Sequence, residues 1–573
     1  MTTNRRQMLG LIGAAPLLLS NRPYERVTVY EAAHIVTMEP SQPSARFIAV
    51  SNGIILALGN SLSDLDPWLR GRTVEVDRRY RGKVMMPGFI EPHIHPMQSA
   101  VMLNIPFVAP DDWDLPSGRY PGARTPAAWR ARLTEELARS RATPFICWGY
   151  HEMFHGPLDR AALDLIAPDR PVIIWQRSFH DVIINSRAMA EWGFADEAAL
   201  AAAVSATRAD PAHVDFAAGL FSETGLAIAL AKMNPVILAP SAITAGMVDL
   251  KRMLSRRGVT TASDMGTGIF AGFDIESTVI HSAFETTEGR SRVMLMPIAS
   301  LLASESDPLA WLTQAQARFT GSKVLLNRRV KMLADGAFFA QNMRMNAPGY
   351  TDGHIGKWIT EPVALHAQIE RFWSLGFALH IHVNGDEGLD VVLDAVDRLA
   401  PQNAQTITLE HVGYSTAAQV RRIARSGLMV SAQPNYIRVL GNAYGRQGLG
   451  TDRASQMNRL GSMERLNIPL GLHSDFNMAP VDPLYLAWIA ANRITIEGRV
   501  LAPEERLTID KALRAITIEA AQVIGLDASV GSLAAGKKAD MVVLDRDPYR
   551  AGAMALKDIA VEGVIFEGQL AGS

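Results

Sequence analysis

Polar and apolar positions divide this chain into two kinds of pattern. Residues 27–85 carry short alternating runs, VTVYEAAHIVTM, ARFIAVSNGIILALG and RTVEVD, with a Ser-Asn-Gly turn in the second. Period-two alternation bounded by turn residues predicts strands, here a small antiparallel sheet. A matching pattern returns at the far end, where GSLAAGKKADMVVLDRDP and AVEGVIFEGQL read as further strands with glycine turns. Both ends are therefore expected to build one β-sandwich, from residues 23–84 and 526–573.

The middle differs. Short β-rich runs ending in polar residues alternate with segments long enough for helices. They are VMMPGFIEPHIH (84–95), GVTTASDMG (258–266), RVMLMPIAS (292–300), RRVKMLADG (328–336), FALHIHVNGD (377–386), TITLEHVG (406–413), LMVSAQP (428–434) and IPLGLHSD (468–475). Strands alternating with helices predict parallel βαβ units, and eight of them predict a closed (β/α)8 TIM-like barrel over residues 85–525. The interval of about 97–257 is too long for one crossover and is expected to be an insertion over the barrel mouth, with Ala-rich helical parts such as DEAALAAAVSATRA. The sequence holds no internal repeat and no low-complexity tract.

Composition narrows the chemistry. With 573 residues and 48% hydrophobic content the chain buries a large core, and its formal net charge of −2 comes without a basic stripe. That speaks against nucleic acid as a partner and for a small-molecule substrate. A lone cysteine, Cys147, forms no internal disulfide. The first twenty-two residues place Arg5 and Arg6 before an apolar run from Met8 to Leu19, too short to span a bilayer. This layout predicts a twin-arginine-like export signal and a periplasmic protein; without it the protein would be cytoplasmic. No other run reaches membrane-spanning length, and nothing in the pattern speaks against a homo-oligomer.

In a (β/α)8 barrel the active site lies at the C-terminal strand ends. Those ends carry His93 and His95, Lys331, His382, His411 and Asp475. Any one of them taken alone is read equally well as a hydrogen-bonded core residue, an interior lysine with a carboxylate partner, or a helix cap. Together they fall at the same end of five expected strands, where imidazoles and carboxylate converge as zinc-like cations require. His93 and His95, two apart on a strand, face the same side. A lysine inside such a site is costly as an ammonium ion, and with carbon dioxide it becomes an anionic carbamate able to bridge two cations.

These pieces resemble the amidohydrolase superfamily, in its amidohydrolase family 3 branch. The resemblance is carried by MPGFIEPHIHP, HDVIINSRAM, GVTTASDMG, VKMLADGAF, HIHVNGDEGLDVVLDA, TLEHVG, SAQPNY, GLHSDFNMAPVDPL and GSLAAGKKADMVVLDRDP, in order along nearly the whole chain. It implies that His93 and His95 ligate one metal, that N6-carboxylated Lys331 bridges to a second held by His382 and His411, and that Asp475 is both ligand and catalytic base. Two zinc ions are the expected cofactors, and the C-terminal glycine-rich stretch resembles the family's closing sandwich segment. Glu91 stands where the family usually has aspartate, and Asn384 where an apolar residue is common. His380 competes with His382, which better matches the family's HVNGD pattern, and His473 is a candidate support for the metal.

The reading that follows is a metal-dependent hydrolase of non-peptide C–N bonds, in which a metal-bound hydroxide attacks and Asp475 moves the proton. A deaminase and an ester or lactone hydrolase would use the same site, and a metal-free scaffold is the reading from another class, disfavoured because all six positions are filled. For substrate contacts the sequence offers His180 and Asn185 in the stretch that lies near the active site in the family, and Tyr436 and Arg446 after the seventh strand. Arg446 is a candidate for a substrate carboxylate. Trp148, Tyr150 and His151 in the insertion are read as packing in preference to recognition.

Overall fold

A computed structural model describes residues 26–286, 289–399 and 405–570. The expected export signal lies outside the described residues. The two chain ends do share one sheet of eight strands. From the N-terminal side come Arg26–Val36, Ser44–Ser51, Ile54–Gly59, Thr73–Asp77 and Val84–Pro87; from the C-terminal side come Met541–Leu544, Val561–Phe566 and Gln569–Leu570. The sheet is mixed and not purely antiparallel, because Arg26–Val36 pairs in parallel with Thr73–Asp77 and with the start of Val84–Pro87. Parallel neighbours need a crossover, and the short helical turns Leu62–Leu65 and Asp66–Leu69 lie on the connection to Thr73–Asp77. Alternation sends Val27 and Val29 into one buried cluster and Tyr30 and Ala32 into another.

The run expected as the first barrel strand is cut at Gly88. Val84–Pro87 pairs antiparallel with Met541–Leu544, while Phe89–Ile94 starts a parallel sheet. A Cβ at Gly88 would sit 2.1 Å from Thr260 Oγ1, so only glycine lets the chain pass this close as it leaves one sheet for the other.

We number the strands of the parallel sheets that carry the expected strand ends β1 (Phe89–Ile94), β2 (Val259–Thr267), β3 (Arg292–Pro297), β4 (Arg329–Leu333), β5 (Ala378–Val383), β6 (Ile407–His411), β7 (Met429–Ala432) and β8 (Leu470–Leu472). β1, β2 and β3 are neighbours in one sheet, and β4 to β8 follow each other in a second. Two parallel bridges join the sheets, Ile298 with Lys331 and Ile94 with Phe476. All ladders among these strands are parallel, so their C-terminal ends point the same way. The strands are buried nearly throughout, as parallel strands covered on both faces must be.

Between β1 and β2 lies a separate five-stranded sheet, in the order Val214–Asp215, Leu220–Ser222, Asp181–Ile184, Val172–Gln176, Phe145–Tyr150. The Ala-rich stretch forms the helix Glu197–Thr207, capped by Asp196. Among the described residues no single helix is long and apolar enough to cross a membrane.

Candidate metal centre

His93 lies in β1, Lys331 in β4, His382 in β5, and His411 closes β6; His95 and Asp475 follow β1 and β8. His411 and Asp475 adopt left-handed backbone, with φ of 73° and 53°. Such conformations cost a non-glycine residue free energy and persist where the surroundings enforce them, commonly at functional sites. The six side chains line a single cavity of about 270 Å³ together with His180 and Tyr436.

Asp475 is at the centre. Its Oδ1 is 3.2 Å from His95 Nε2 and 3.4 Å from His93 Nε2, and its Oδ2 is 3.9 Å from His411 Nδ1. Ligand atoms ~2.1 Å from a tetrahedral ion lie ~3.4 Å from each other, so the first two spacings fit one ion. His93, His95 and Asp475 form one compact donor group, and His93, His411 and His473 form another. Buried polar atoms without a hydrogen-bond partner support the fit: His95 Nδ1, Asp475 Oδ1 and Lys331 Nζ.

Burial, reinforced by Lys331, holds His93, His382 and His473 well below the ordinary imidazole range; burial and the neighbouring His382 do the same for His411. Neutral imidazoles keep the lone pair that a metal needs. Burial pushes the Lys331 amine down to about 8, which leaves part of it neutral near pH 7. Burial also raises the Asp475 carboxyl, partly offset by the neighbouring His95 and Lys331.

The remaining histidines sort themselves by their bonds. Both nitrogens of His380 are engaged, Nδ1 with Glu410 Oε1 at 2.7 Å and Nε2 with Arg329 Nη1 at 3.0 Å, so it has no donor left for a metal. His473 Nε2 is 3.1 Å from His411 Nδ1, and its Nδ1 is 2.7 Å from Ser431 Oγ. His382 belongs to neither compact donor group; its ring meets His411 edge-on at 4.6 Å, and its Nε2 lies 3.1 Å from the Asn384 amide. Glu91 Oε2 accepts from the Ser474 N–H at 3.0 Å and its hydroxyl at 3.1 Å, bracing the turn that carries Asp475.

Of the expected substrate contacts, the structure brings two to the cavity. His180 Nδ1 is 3.0 Å from Glu223 Oε2; burial opposes its charge, yet the Glu223 carboxylate raises its pKa. The residue before it, Phe179, and Glu223 itself both have positive φ, 64° and 41°. Tyr436 stacks on Phe338 at 4.1 Å. Asn185 is elsewhere, wholly buried as a helix cap: its Oδ1 accepts from Ala188 N and Val172 N, and its Nδ2 donates to two carbonyls. Arg446 is an exposed residue paired twice with Glu497 at 2.9 Å. Trp148 packs against Phe107, Trp113 and Phe179, and Tyr150 donates to the Gly156 carbonyl.

Sequence reasoning missed Glu410, whose oxygens hold both His93 and His380, and the cavity walls Trp175, Phe339 and Glu223. For Glu410 the signal was present in TLEHVG, one residue before a proposed ligand.

Over 219 residues the chain is 31% identical to the N-substituted formamide deformylase of Arthrobacter pascens, a stretch of 38% of this chain and 40% of that protein. The amidohydrolase YtcJ of Bacillus subtilis (strain 168) is 22% identical across 95% of this chain and 98% of its own length. An uncharacterized metal-dependent hydrolase from Pyrococcus horikoshii OT3 shares the fold, with a TM-score of 0.69 at 21% identity over 93% of this chain and 99% of that one. A profile described as the amidohydrolase family matches residues 81–571, and the chain therefore belongs to the amidohydrolase family.

Proposed function

We propose that the protein is a metal-dependent hydrolase of non-peptide C–N bonds whose substrate is an N-acyl or N-substituted amide. One observation carries the reading: His93, His95, Lys331, His382, His411 and Asp475, named from five strand ends, line one buried cavity. His93, His95 and Asp475 would hold one ion, and His411 with His382 or His473 a second, with Lys331 as a carbamate between them. Zinc suits this nitrogen and carboxylate set. When bound, such an ion polarises a carbonyl oxygen and lowers the pKa of its water toward ~7.

The chain's own residues supply the rest. Lys331 becomes a carbamate when its neutral amine attacks carbon dioxide, forming an N–C bond and releasing one proton. Asp475 accepts the proton of the attacking water as the new C–O bond forms. It then returns that proton to the leaving nitrogen as the C–N bond breaks, giving an acid and an amine. His180, held by Glu223, donates a hydrogen bond to the substrate, and Tyr436, kept protonated by burial, offers another.

The cavity walls select the substrate. Trp175, Phe179, Phe339 and Met478 are apolar, and among the described residues no arginine lines the cavity. An uncharged amide with an apolar substituent fits better than a carboxylate. N-formyl amines belong in the screen because of the partial likeness to the formamide deformylase. In the same reading β1 to β8 close into a (β/α)8 barrel over residues 85–525 with an insertion at about 97–257, the ends 23–84 and 526–573 form the sandwich, and residues 1–22 export the protein.

The test is metal analysis of protein purified with bicarbonate, combined with a screen of N-acyl and N-formyl amines. Two equivalents of metal, reduced in Lys331→Ala, and release of amine support the reading. Metal-free protein with no hydrolysis in metal-supplemented assays overturns it.

A further inference from the structure

We propose that Arg329, His380 and Glu410 form a relay that sets the tautomer of His93, which makes them positioning residues for the metal centre. The proposal rests on the reading of His93 as a ligand. It starts at Arg329 in β4, whose Nη1 is 3.0 Å from His380 Nε2 in β5. A guanidinium only donates, so His380 Nε2 accepts and the ring proton sits on Nδ1. That Nδ1 is 2.7 Å from Glu410 Oε1 at the end of β6. The other oxygen, Oε2, is 2.8 Å from His93 Nδ1 in β1.

As a carboxylate Glu410 accepts on both oxygens. His93 then carries its proton on Nδ1 and presents a bare Nε2, the atom 3.4 Å from Asp475 Oδ1. Every link is buried: His93, His380 and Glu410 are at most 1% exposed and Arg329 is 9% exposed. Burial shields these bonds from bulk solvent, and the guanidinium at the far end fixes the His380 tautomer that leaves Glu410 accepting on both oxygens. If His380 were free to turn its proton to Nε2, Glu410 would lose a donor, and a buried carboxylate short of donors is costly.

Space for the arginine is built in. A Cβ at Gly525 would lie 1.6 Å from Arg329 Nη2, and Gly525 has a φ of 70° that favours glycine. Carboxylates that orient metal-bound imidazoles are a general device, worth 10–100-fold in metal affinity. Here the carboxylate is itself oriented, through a second imidazole, by a cation that cannot reverse its role.

The experiment uses metal-stripped full-length protein labelled with 15N-histidine, read by two-bond proton–nitrogen correlation, with His93 and His380 assigned from His93→Gln and His380→Gln. Both rings are expected as Nδ1–H tautomers. Zn(II) affinity, measured against a chromophoric chelator, is expected to fall about 10–100-fold in Arg329→Met and to recover largely in Arg329→Lys. An Nε2–H tautomer of His93 in the unsubstituted protein overturns the relay, and so does Arg329→Met that changes neither tautomer nor affinity. Should Arg329→Met fail to fold, the spectrum of the unsubstituted protein decides alone. An Nδ1–H His93 in a protein that binds no zinc would leave the relay standing and refute the metal reading, whereas zinc binding with an Nε2–H His93 would do the reverse.

Discussion

Glu91 offers a quantitative test of how the site is supported. It is wholly buried, its Oε1 has no partner, and burial pushes its carboxyl up to about 8 from an ordinary value of 4.5. In the unfolded chain the group loses its proton near pH 4.5, while in the metal-stripped folded protein it keeps it to about pH 8. Between these values unfolding releases a proton, so stability falls as pH rises through the window. At 1.36 kcal/mol for each pH unit the penalty reaches about 5 kcal/mol above pH 8. Glu91→Gln keeps an oxygen for Ser474 and cannot ionise. Urea denaturation of the metal-stripped proteins at about pH 5, 7 and 9 is expected to show the variant gaining on the unsubstituted protein by several kcal/mol across the series. Loss of a carboxylic-acid infrared band at neutral pH in Glu91→Gln is the accompanying sign. A difference in stability that stays constant with pH would refute the reasoning, because it would mean that Glu91 is ionised when buried.

Asp475→Asn is expected to lower turnover per bound metal ion by about 10²–10⁴-fold, as measured by steady-state kinetics normalised by elemental analysis. Asn185→Ala is expected to cost about 2–4 kcal/mol in denaturation, since it strips a helix cap and leaves two carbonyls and two amides short of partners, with KM unchanged. Arg446→Ala, which breaks only an exposed ion pair, is expected to shift stability by less than about 1 kcal/mol and to leave KM unchanged. Arg292→Met is expected to cost about 3–5 kcal/mol, because Arg292 begins β3 and pairs with buried Asp540 from the C-terminal part of the shared sheet.

The candidate centre was legible where the chemistry follows a local pattern. His93 and His95 two apart at a strand end, Lys331 inside a short β-rich run, and Asp475 after another are visible without coordinates, and strand geometry fixes which side His93 and Lys331 face. The shared sheet of the two chain ends was legible from alternation at both termini, though not the parallel pairing of Arg26–Val36, which depends on where the crossover returns. Asn185 and Arg446 were chosen for their place along the chain, and the fold spends one on a helix cap and the other on a surface pair.

By itself the sequence determined the strand runs, the long interval between the first two of them, and the residue types at the strand ends. The tertiary structure decided which nitrogen does what. His380 and His382 are equivalent by spacing, yet one is consumed by Glu410 and Arg329 while the other lines the cavity. His93 meets Glu410 across 317 residues of chain, and His180 meets Glu223 beside a five-stranded sheet whose strands are ordered out of sequence. Period and propensity act over a few residues, whereas the partner of a buried donor is chosen by which strands the fold sets side by side.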